Sequence, residues 1–234
     1  EIIQVGDADD DLTQYNEFID LTRLDPEVKS KPLYIHMDLS ESGDKTGIAG
    51  VWVVGKKPPS ENHPISKDLF YRLAFSVSIK APKGHDISFE KNRNFIYWLK
   101  EQGFNIKCIT TDTFQSFDTG QMLKKKGFNY EELSVDRTTK IENKYVCLPY
   151  QALRTAINEQ RLEMYQNTFL TEELLGLVKD NTSGKVDHDP SGINSKDSAD
   201  ALCGALYTAS QNAEEYAYEY GDDMEVILET NKSK

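Results

Sequence analysis

The chain has 234 residues, of which 38% are hydrophobic, and this composition excludes a disordered chain while allowing one domain with a sizeable core. The formal net charge of −12 argues against tight nucleic-acid binding by this chain alone, because such affinity comes largely from cationic contacts to phosphate. No stretch is long and apolar enough to cross a bilayer, and no signal-peptide pattern is seen. Three cysteines without CxxC spacing, Cys108, Cys147 and Cys203, predict buried free thiols in a reducing compartment.

The first predicted elements are three consecutive strands behind a polar arm. Residues 1–31 are acidic with scattered apolar residues, which is typical of a linker or a loosely docked arm. Extended apolar runs predict strands over about 33–39, 47–55 and 69–80. A Ser-Gly-Asp turn separates the first two, and the Pro-rich loop "KKPPSENHPISKD" precedes the third. We expect an antiparallel meander.

Helices alternate with strands in the middle of the chain. A helix is predicted from Ser88, a favourable N-cap, to Glu101, with Gly103 ending it. The segment "IKCITTD" is predicted to be a short buried strand ending at Asp112. The segment "SFDTGQMLKKKG" is a predicted helix closed by Gly127, and "YEELSVD" is a further predicted strand.

The last third of the chain is predicted to be mostly helical. Helices are expected in "PYQALRTAINEQ", "TEELLGLVKD" and "SKDSADALCGALYTASQNAEEY", and a loop or small hairpin in "NTSGKVDHDPSGIN". The whole order predicts an α/β fold, in which three antiparallel strands continue into parallel strands with helices on both faces of a mixed sheet. Residues 32–212 would form this domain, and residues 213–234 an acidic C-terminal tail.

The stretch "YIHMDLSESGDKTGIAG", residues 34–50, is close to a phosphate-binding loop but lacks its glycine spacing. That motif needs a Gly, four residues and then Gly-Lys-Ser/Thr, whereas Asp44 stands before Lys45-Thr46 here and would repel a phosphate. A strand, a turn and a second strand fit better. Asp38 then lies near the end of an apolar strand, where an acid is costly unless it is paired or binds a metal.

Three further acids are candidates to meet Asp38. Asp112 ends the fourth predicted strand, which neighbours the first strand if the chain crosses back over the first edge of the sheet. Asp197 and Asp200 share a face of the last helix, whose small residues would let it approach the sheet. Carboxylates gathered in this way need cations, and oxygen ligands suit Mg²⁺ or Mn²⁺. Such a site favours two-metal hydrolysis of a phosphodiester, although each acid taken singly could be a turn, cap or helix-start residue.

In this order, "YIHMDLSESGDKTGIAGV", "CITTDTFQS" and "GKVDHDPSGINSKDSADALCGAL" resemble the nuclease domain of tailed-phage terminase large subunits, over about residues 33–210. The resemblance implies a ribonuclease H-like fold and a metal-dependent endonuclease that cuts concatemeric double-stranded viral DNA in the host cytoplasm. It implies that Asp38, Asp112 and Asp200 bind two divalent ions, Mg²⁺ or Mn²⁺, with Asp197 as a fourth acid. For the full-length protein it implies an N-terminal ATPase domain, a small terminase subunit and a portal as partners, and no membrane. The usual "VDHP" is "VDHDP" here, so no role is transferred to the histidine.

Several basic residues are candidate contacts to DNA. Lys185 keeps its place in the last motif and could hold a scissile phosphate, or could be an exposed hairpin lysine. Lys124 and Lys125 lie at a predicted helix end, where the helix dipole explains them equally well. Arg137 and Lys140 follow in the next segment.

Other functions stay open at this stage. A junction resolvase or an integrase-type nuclease of the same fold would place its acids in the same way, and would prefer branched DNA. An actin-like or sugar-kinase ATPase also begins with an Asp-bearing strand and a Gly-rich turn, but needs a second lobe with its own phosphate loop. An acidic binding domain without activity would bind neither Mg²⁺ nor Mn²⁺.

Overall fold

The structure is a computed structural model that describes residues 2–4, 26–40, 45–56, 68–80, 86–112, 116–189 and 195–212. The described strands are β1 (Ile2–Gln4), β2 (Leu33–Asp38), β3 (Lys45–Lys56), β4 (Leu69–Lys80), β5 (Ile106–Thr111), β6 (Tyr130–Glu132), β7 (Thr138–Ile141), β8 (Lys144–Cys147), β9 (Leu162–Glu163), β10 (Leu177–Lys179) and β11 (Val186–His188). The described helices are α1 (Pro26–Ser30), α2 (Phe89–Glu101), α3 (Phe117–Lys125), α4 (Leu148–Asn158), α5 (Thr168–Leu175) and α6 (Asp197–Gln211).

The main sheet is mixed, as the sequence predicts. Its strand order is β1-β4-β3-β2-β5-β6, with β9 added beside β4. Strands β2, β3 and β4 pair antiparallel, whereas β5 pairs parallel with both β2 and β6. The antiparallel meander and the crossover that sets the fourth predicted strand beside the first are therefore confirmed, and so is the predicted fold class.

The two faces of the sheet have separate cores. Successive residues of a strand point to opposite faces, and on β2 the side chains of Leu33, Ile35 and Met37 pack with α2 and α3. The intervening Tyr34 belongs to the core formed with α4, α5 and α6. Helices therefore cover both faces, and α6 lies over the centre of the sheet on one of them.

Helix α6 approaches the sheet closely because small residues line it. Ala199, Ala201, Ala205 and Ala209 are fully buried. A Cβ atom on Gly204 would overlap the imidazole ring of His36 on β2. The predicted close packing of this helix is confirmed, and it brings the start of the helix down to the ends of the strands.

The predicted ends of α2 are also confirmed. The hydroxyl of Ser88 accepts a hydrogen bond from the backbone N–H of Lys91 at 3.3 Å, which satisfies one of the free donors at the helix start. At the other end Gly103 has φ +87°, a left-handed conformation that glycine adopts without strain.

Three predictions of secondary structure need correction. The helix predicted over 171–180 ends at Leu175, and Leu177–Lys179 instead forms the hairpin strand β10, paired with β11. The strand predicted over 130–136 is limited to Tyr130–Glu132. The hairpin of β7 and β8 was not predicted, although its turn residues Glu142 and Asn143 take the positive φ angles typical of a two-residue hairpin turn.

The remaining sequence predictions concern the termini and the cysteines. The boundaries at residues 31 and 212 stay predictions; the tail 213–234 lies outside the described residues, and in the arm β1 pairs parallel with β4. The three thiols are free and buried, as predicted, and burial raises the pKa of Cys108 to about 12. Among the described helices, none has the length and hydrophobicity to traverse a membrane.

Candidate catalytic site

Two acids stand at neighbouring strand ends. Asp38 is the last residue of β2, and Asp112 directly follows β5. Met37 pairs with Thr111 across the parallel ladder, so the two acids are adjacent along the same edge of the sheet. On β5 the side chain of Thr110 is hydrogen-bonded to Thr208 of α6. Alternate residues of a strand point to the same face, so Asp112, two residues further on, points to the same face as Thr110. Both acids are therefore directed to the α6 side.

The first turn of α6 reaches the same place because of one glycine. Asp38 pairs with Gly47 across the antiparallel ladder of β2 and β3. A Cβ atom on Gly47 would overlap the backbone carbonyl oxygen of Asp197. Only a residue without a side chain lets the helix start rest on the strand at this point. The result is that Asp197 and Asp200, each 7% exposed, stand over the strand that carries Asp38.

The charge of Asp38 is affected by all three of the other acids. Burial is the main reason that the pKa of Asp38 rises from 3.8 to about 8. The carboxylates of Asp200 and Asp197 raise this pKa further, the Lys196 ammonium lowers it, and Asp112 adds a smaller upward effect. The three other acids therefore lie near enough to Asp38 to act on its charge, and their shared role stays a prediction.

Asp200 is held from two directions. Its Oδ1 accepts a hydrogen bond from the hydroxyl of Tyr150 on α4, and its Oδ2 lies 3.1 Å from the Nζ atom of Lys196. Burial raises the pKa of Asp200 to about 7, although the Lys196 ammonium lowers it and Asp136 raises it again. Sequence reasoning left Tyr150 as a possible core residue; it is buried, and it also contacts a candidate catalytic acid.

Sequence reasoning missed Lys196 and Asp136. The Nζ atom of Lys196 lies 2.7 and 2.9 Å from the two carboxylate oxygens of Asp136, which follows β6. Because β6 runs parallel to β5, its following segment lies along the same sheet edge as Asp112. The available signal for Asp136 was that parallel strands end at the same edge of a sheet, so an acid after the strand that follows β5 lies on the same edge as Asp112. Lys196 stands beside Asp197 in "SKDSAD", where a charge next to the predicted acids was the available signal.

A buried glutamate, also missed, fixes the start of α6. Glu173 of α5 is 1% exposed. One of its oxygens accepts a hydrogen bond from the Ser195 hydroxyl at 2.7 Å, and the other accepts from the backbone N–H of Ala199 at 2.9 Å. The Ser195 hydroxyl is also 2.8 Å from Oδ2 of Asp197. Glu173 thus satisfies a free backbone donor of the helix start and ties Asp197 to α5.

A neutral histidine lies beneath the acids. His36 is 1% exposed, and its Nδ1 atom is 2.8 Å from the hydroxyl of Thr110. Burial lowers the pKa of His36 to about 4, against the opposing effect of Asp112. The imidazole is uncharged near neutral pH and packs against α6, so it supports the site without adding charge to it.

Solved structures share this arrangement of sheet and helices. The HK97 bacteriophage large terminase matches with a TM-score of 0.54 and 12% identity, over 77% of this chain and 40% of that one. The large terminase nuclease from thermophilic phage G20c, with bound magnesium, matches with a TM-score of 0.53 and 14% identity, over 75% of this chain and 80% of that one. The Thermus phage P74-26 large terminase nuclease domain matches with a TM-score of 0.50 and 13% identity, over 75% of this chain and 78% of that one.

The chain has the ribonuclease H-like fold of the large terminase nucleases. It spans 40% of the length of the HK97 large terminase. Neither the protein-family models nor the curated proteins match its sequence.

The predicted DNA contacts of this terminase-like domain divide between the two faces of the sheet. Lys185 and Lys140 are exposed on the two hairpins, which meet where Gly184 packs on the backbone of Tyr145. These hairpins lie on the α6 side, since Val186 packs on its core. Arg137 is exposed just before β7.

Lys124 and Lys125, in contrast, are exposed in the last turn of α3, on the opposite face. The Nζ atom of Lys124 lies 5.3 Å from the ring centroid of Tyr130. The structure therefore brings Lys140 and Lys185 to the side of the acids, but not Lys124 and Lys125.

The side chains at this edge of the terminase-like fold suit a hard divalent cation in their chemistry. Asp38, Asp112, Asp197 and Asp200 supply only carboxylate oxygens, the donors that Mg²⁺ and Mn²⁺ prefer. Burial and the negative charge of the other three acids both raise the pKa of Asp38, and a bound cation would neutralise that charge. Among the described residues, however, no three His, Cys, Asp or Glu side chains are spaced as a ready coordination group. Both oxygens of Asp200 contact Tyr150 and Lys196 instead.

Proposed function

We propose that the chain is the nuclease domain of a phage DNA-packaging large terminase, a Mg²⁺- or Mn²⁺-dependent endonuclease that cuts double-stranded concatemeric DNA. The observation that carries the proposal is the position of four aspartates: two lie at neighbouring strand ends, and two lie in the first turn of α6, which rests on β3 beside Asp38. The shared fold supports it, as does the magnesium bound to the G20c nuclease and the cobalt bound in another structure of that protein.

The proposed mechanism assigns a role to each acid. Asp38, on which the other three act, would hold both metal ions, while Asp112 and Asp200 each complete one ion's ligands and Asp197 joins Asp200. When bound, the two ions supply an activated water and stabilise the leaving 3′ oxygen of the phosphodiester. Tyr150 would keep the Asp200 carboxylate oriented, and the Ser195 hydroxyl, which lies within hydrogen-bond distance of both Glu173 and Asp197, would orient Asp197. No covalent intermediate is involved.

The proposal extends to the rest of the protein. Because this chain spans only part of the HK97 large terminase, the full-length protein would carry an N-terminal ATPase domain and act with a small terminase subunit and a portal. That assembly works at the phage assembly site in the host cytoplasm. Cleavage should depend little on sequence, because contacts to phosphate position a protein on DNA without reading its bases.

The decisive experiment is nicking of supercoiled plasmid in Mn²⁺ by purified protein. We expect Asp38→Asn and Asp200→Asn to abolish cleavage, because each removes a metal-binding carboxylate while keeping the volume of the side chain. Asp86→Asn is the matched control, since Asp86 is exposed ahead of α2 and should leave the rate unchanged. Circular dichroism would verify that all variants are folded.

Cleavage at the wild-type rate by either Asp38→Asn or Asp200→Asn would refute the assignment. A parallel assay on a four-way junction distinguishes a terminase nuclease from the alternative, a junction resolvase. Equal or faster cutting of linear duplex is expected, and strong preference for the junction would contradict a terminase role.

A further inference from the structure

Lys196 places a permanent positive charge inside the acidic cluster. Its side chain is 16% exposed, and its Nζ atom contacts both Asp136 and Asp200. Burial acts to lower the pKa of Lys196, but the Asp200 and Asp136 carboxylates outweigh it and raise this pKa above the usual value. The ammonium also acts on Asp38. A lysine in this position is therefore charged whenever the acids are.

The ion pair between Lys196 and Asp200 competes with metal coordination at Asp200. Oδ1 of Asp200 is engaged by the hydroxyl of Tyr150, and Oδ2 by Lys196. A cation that binds Oδ2 of Asp200 must share or take over the oxygen that the ammonium contacts, and a cation at either oxygen is repelled by that charge. The same ammonium already lies 2.7 and 2.9 Å from the two oxygens of Asp136, so Lys196 can give up Asp200 without being left unpaired.

We propose that Lys196 is a positioning residue that serves as a built-in counter-ion: it bridges Asp136 and Asp200 in the metal-free protein, and it releases Asp200 while keeping Asp136 when a divalent cation binds Asp200. This inference rests on the proposed function of the site. It predicts two opposite effects of removing the charge. The metal-free protein becomes less stable, because buried carboxylates lose their cation, whereas divalent cations bind more tightly, because the competing charge is gone.

The test compares wild-type protein with Lys196→Met, which keeps much of the side-chain length without the charge. Mn²⁺ affinity is measured by calorimetry, and thermal unfolding is followed in EDTA and in Mn²⁺. We expect Lys196→Met to unfold at a lower temperature in EDTA and to bind Mn²⁺ at least about tenfold more tightly, as expected for a unit charge removed within a few ångströms. Its stabilisation by Mn²⁺ should exceed that of wild type, since stabilisation grows with affinity.

Three further variants keep the test decisive. Lys196→Arg retains the charge and should restore both properties toward wild type. Lys179→Met, at an exposed position of β10, should change neither. Lys196→Gln, whose amide can still donate a hydrogen bond to Asp136, replaces the methionine variant if that protein fails to fold.

Mn²⁺ binding to the neutral variant that is equal to or weaker than wild type would overturn the inference, even if stability falls. Wild-type protein that binds Mn²⁺ but leaves DNA uncut would contradict only the proposed function. Absence of Mn²⁺ binding by both proteins would contradict both.

Discussion

At the scale of single residues, the buried acids make the metal-free protein sensitive to pH. The pKa of Asp38 is raised by burial from 3.8 to about 8, and that of Asp200 to about 7, so the folded state binds more protons than the unfolded state in this range. Stability must then fall as pH rises through these values. His36 has the opposite effect, but only between its folded pKa of about 4 and its usual value of 6.5.

Among the described residues, the two acids act without opposition from His36 between pH 6.5 and 8. We expect the melting temperature of the protein in EDTA to decrease from pH 6.5 to pH 8, and saturating Mn²⁺ to reduce this decrease, because the cation favours the ionised carboxylates. Differential scanning calorimetry at each pH, in EDTA and in Mn²⁺, measures these melting temperatures directly. Asp38→Asn should flatten the profile in EDTA; an equally steep fall in that variant would show that the pH dependence arises elsewhere.

Tyr150 allows a second prediction at this scale. Tyr150→Phe keeps the buried ring but removes the hydroxyl that donates to Asp200. Partners of metal-binding side chains typically contribute about 10–100-fold to metal affinity or activity, so we expect Mn²⁺ affinity and plasmid nicking to fall by about that much. Tyr145→Phe is the control, because Tyr145 is 46% exposed on β8. Unchanged Mn²⁺ affinity in Tyr150→Phe would show that the hydroxyl does not orient Asp200.

The four acids were predictable from sequence because each has a local signature. Asp38 and Asp112 end apolar strands, and Asp197 and Asp200 are three apart on a helix lined with small residues. The residues that hold them were not predictable in the same way. Tyr150, Glu173 and Asp136 lie on other elements, and their polar atoms reach the site only through tertiary packing.

At the scale of elements, the position of α6 depends on the contact of its first turn with β3. Gly47→Ala would place a methyl group on the carbonyl oxygen of Asp197. Because this oxygen belongs to the backbone, it cannot move aside as the end of a flexible side chain can. Overpacking of this kind costs about 1–3 kcal/mol, which corresponds to a melting temperature lower by several degrees. The displaced helix should also bind Mn²⁺ more weakly, because Asp197 and Asp200 move with it.

Gly176→Ala is the matched control for this prediction. Gly176 has φ −82° at the end of α5, and a Cβ atom there would be 3.3 Å from the nearest atom, a carbonyl oxygen of its own helix. We expect a smaller loss of stability and unchanged Mn²⁺ affinity. If Gly47→Ala matches the control in both measurements, the close approach does not position the acids.

The errors in predicted elements have a common cause. Long amphipathic elements such as α2 and α6 were found because their pattern and caps are local. Strands β7 and β8 were missed, β10 was assigned to a helix and β11 to a loop or small hairpin, since three or four residues carry too little periodicity to decide. Their strand structure comes from pairing within each hairpin and from packing of Gly184 on the β8 backbone.

At the scale of the whole molecule, a net charge of −12 must be reconciled with the proposed DNA substrate. The unfavourable charge makes the few well-placed cations more important to the proposal, because they would supply the phosphate contacts that hold the duplex. Lys140 and Lys185 lie on hairpins on the α6 side of the sheet, the side to which the acids point, while Lys124 and Lys125 lie on α3 on the other face. The arrangement of the two layers thus selects between candidates that the sequence left equal.

The double variant Lys140→Glu/Lys185→Glu should therefore weaken binding of duplex DNA more than Lys124→Glu/Lys125→Glu, although both change the net charge equally. Each lost phosphate contact lowers the slope of log affinity against log salt by about 1. We expect a reduction of about 2 for the first variant and little change for the second, measured by fluorescence anisotropy with Ca²⁺ in place of Mn²⁺. Equal reductions in both would mean that bulk charge, and not a defined face, governs binding. A larger effect of the α3 pair would place the duplex on the side away from the acids, and cleavage by this cluster would then be geometrically impossible.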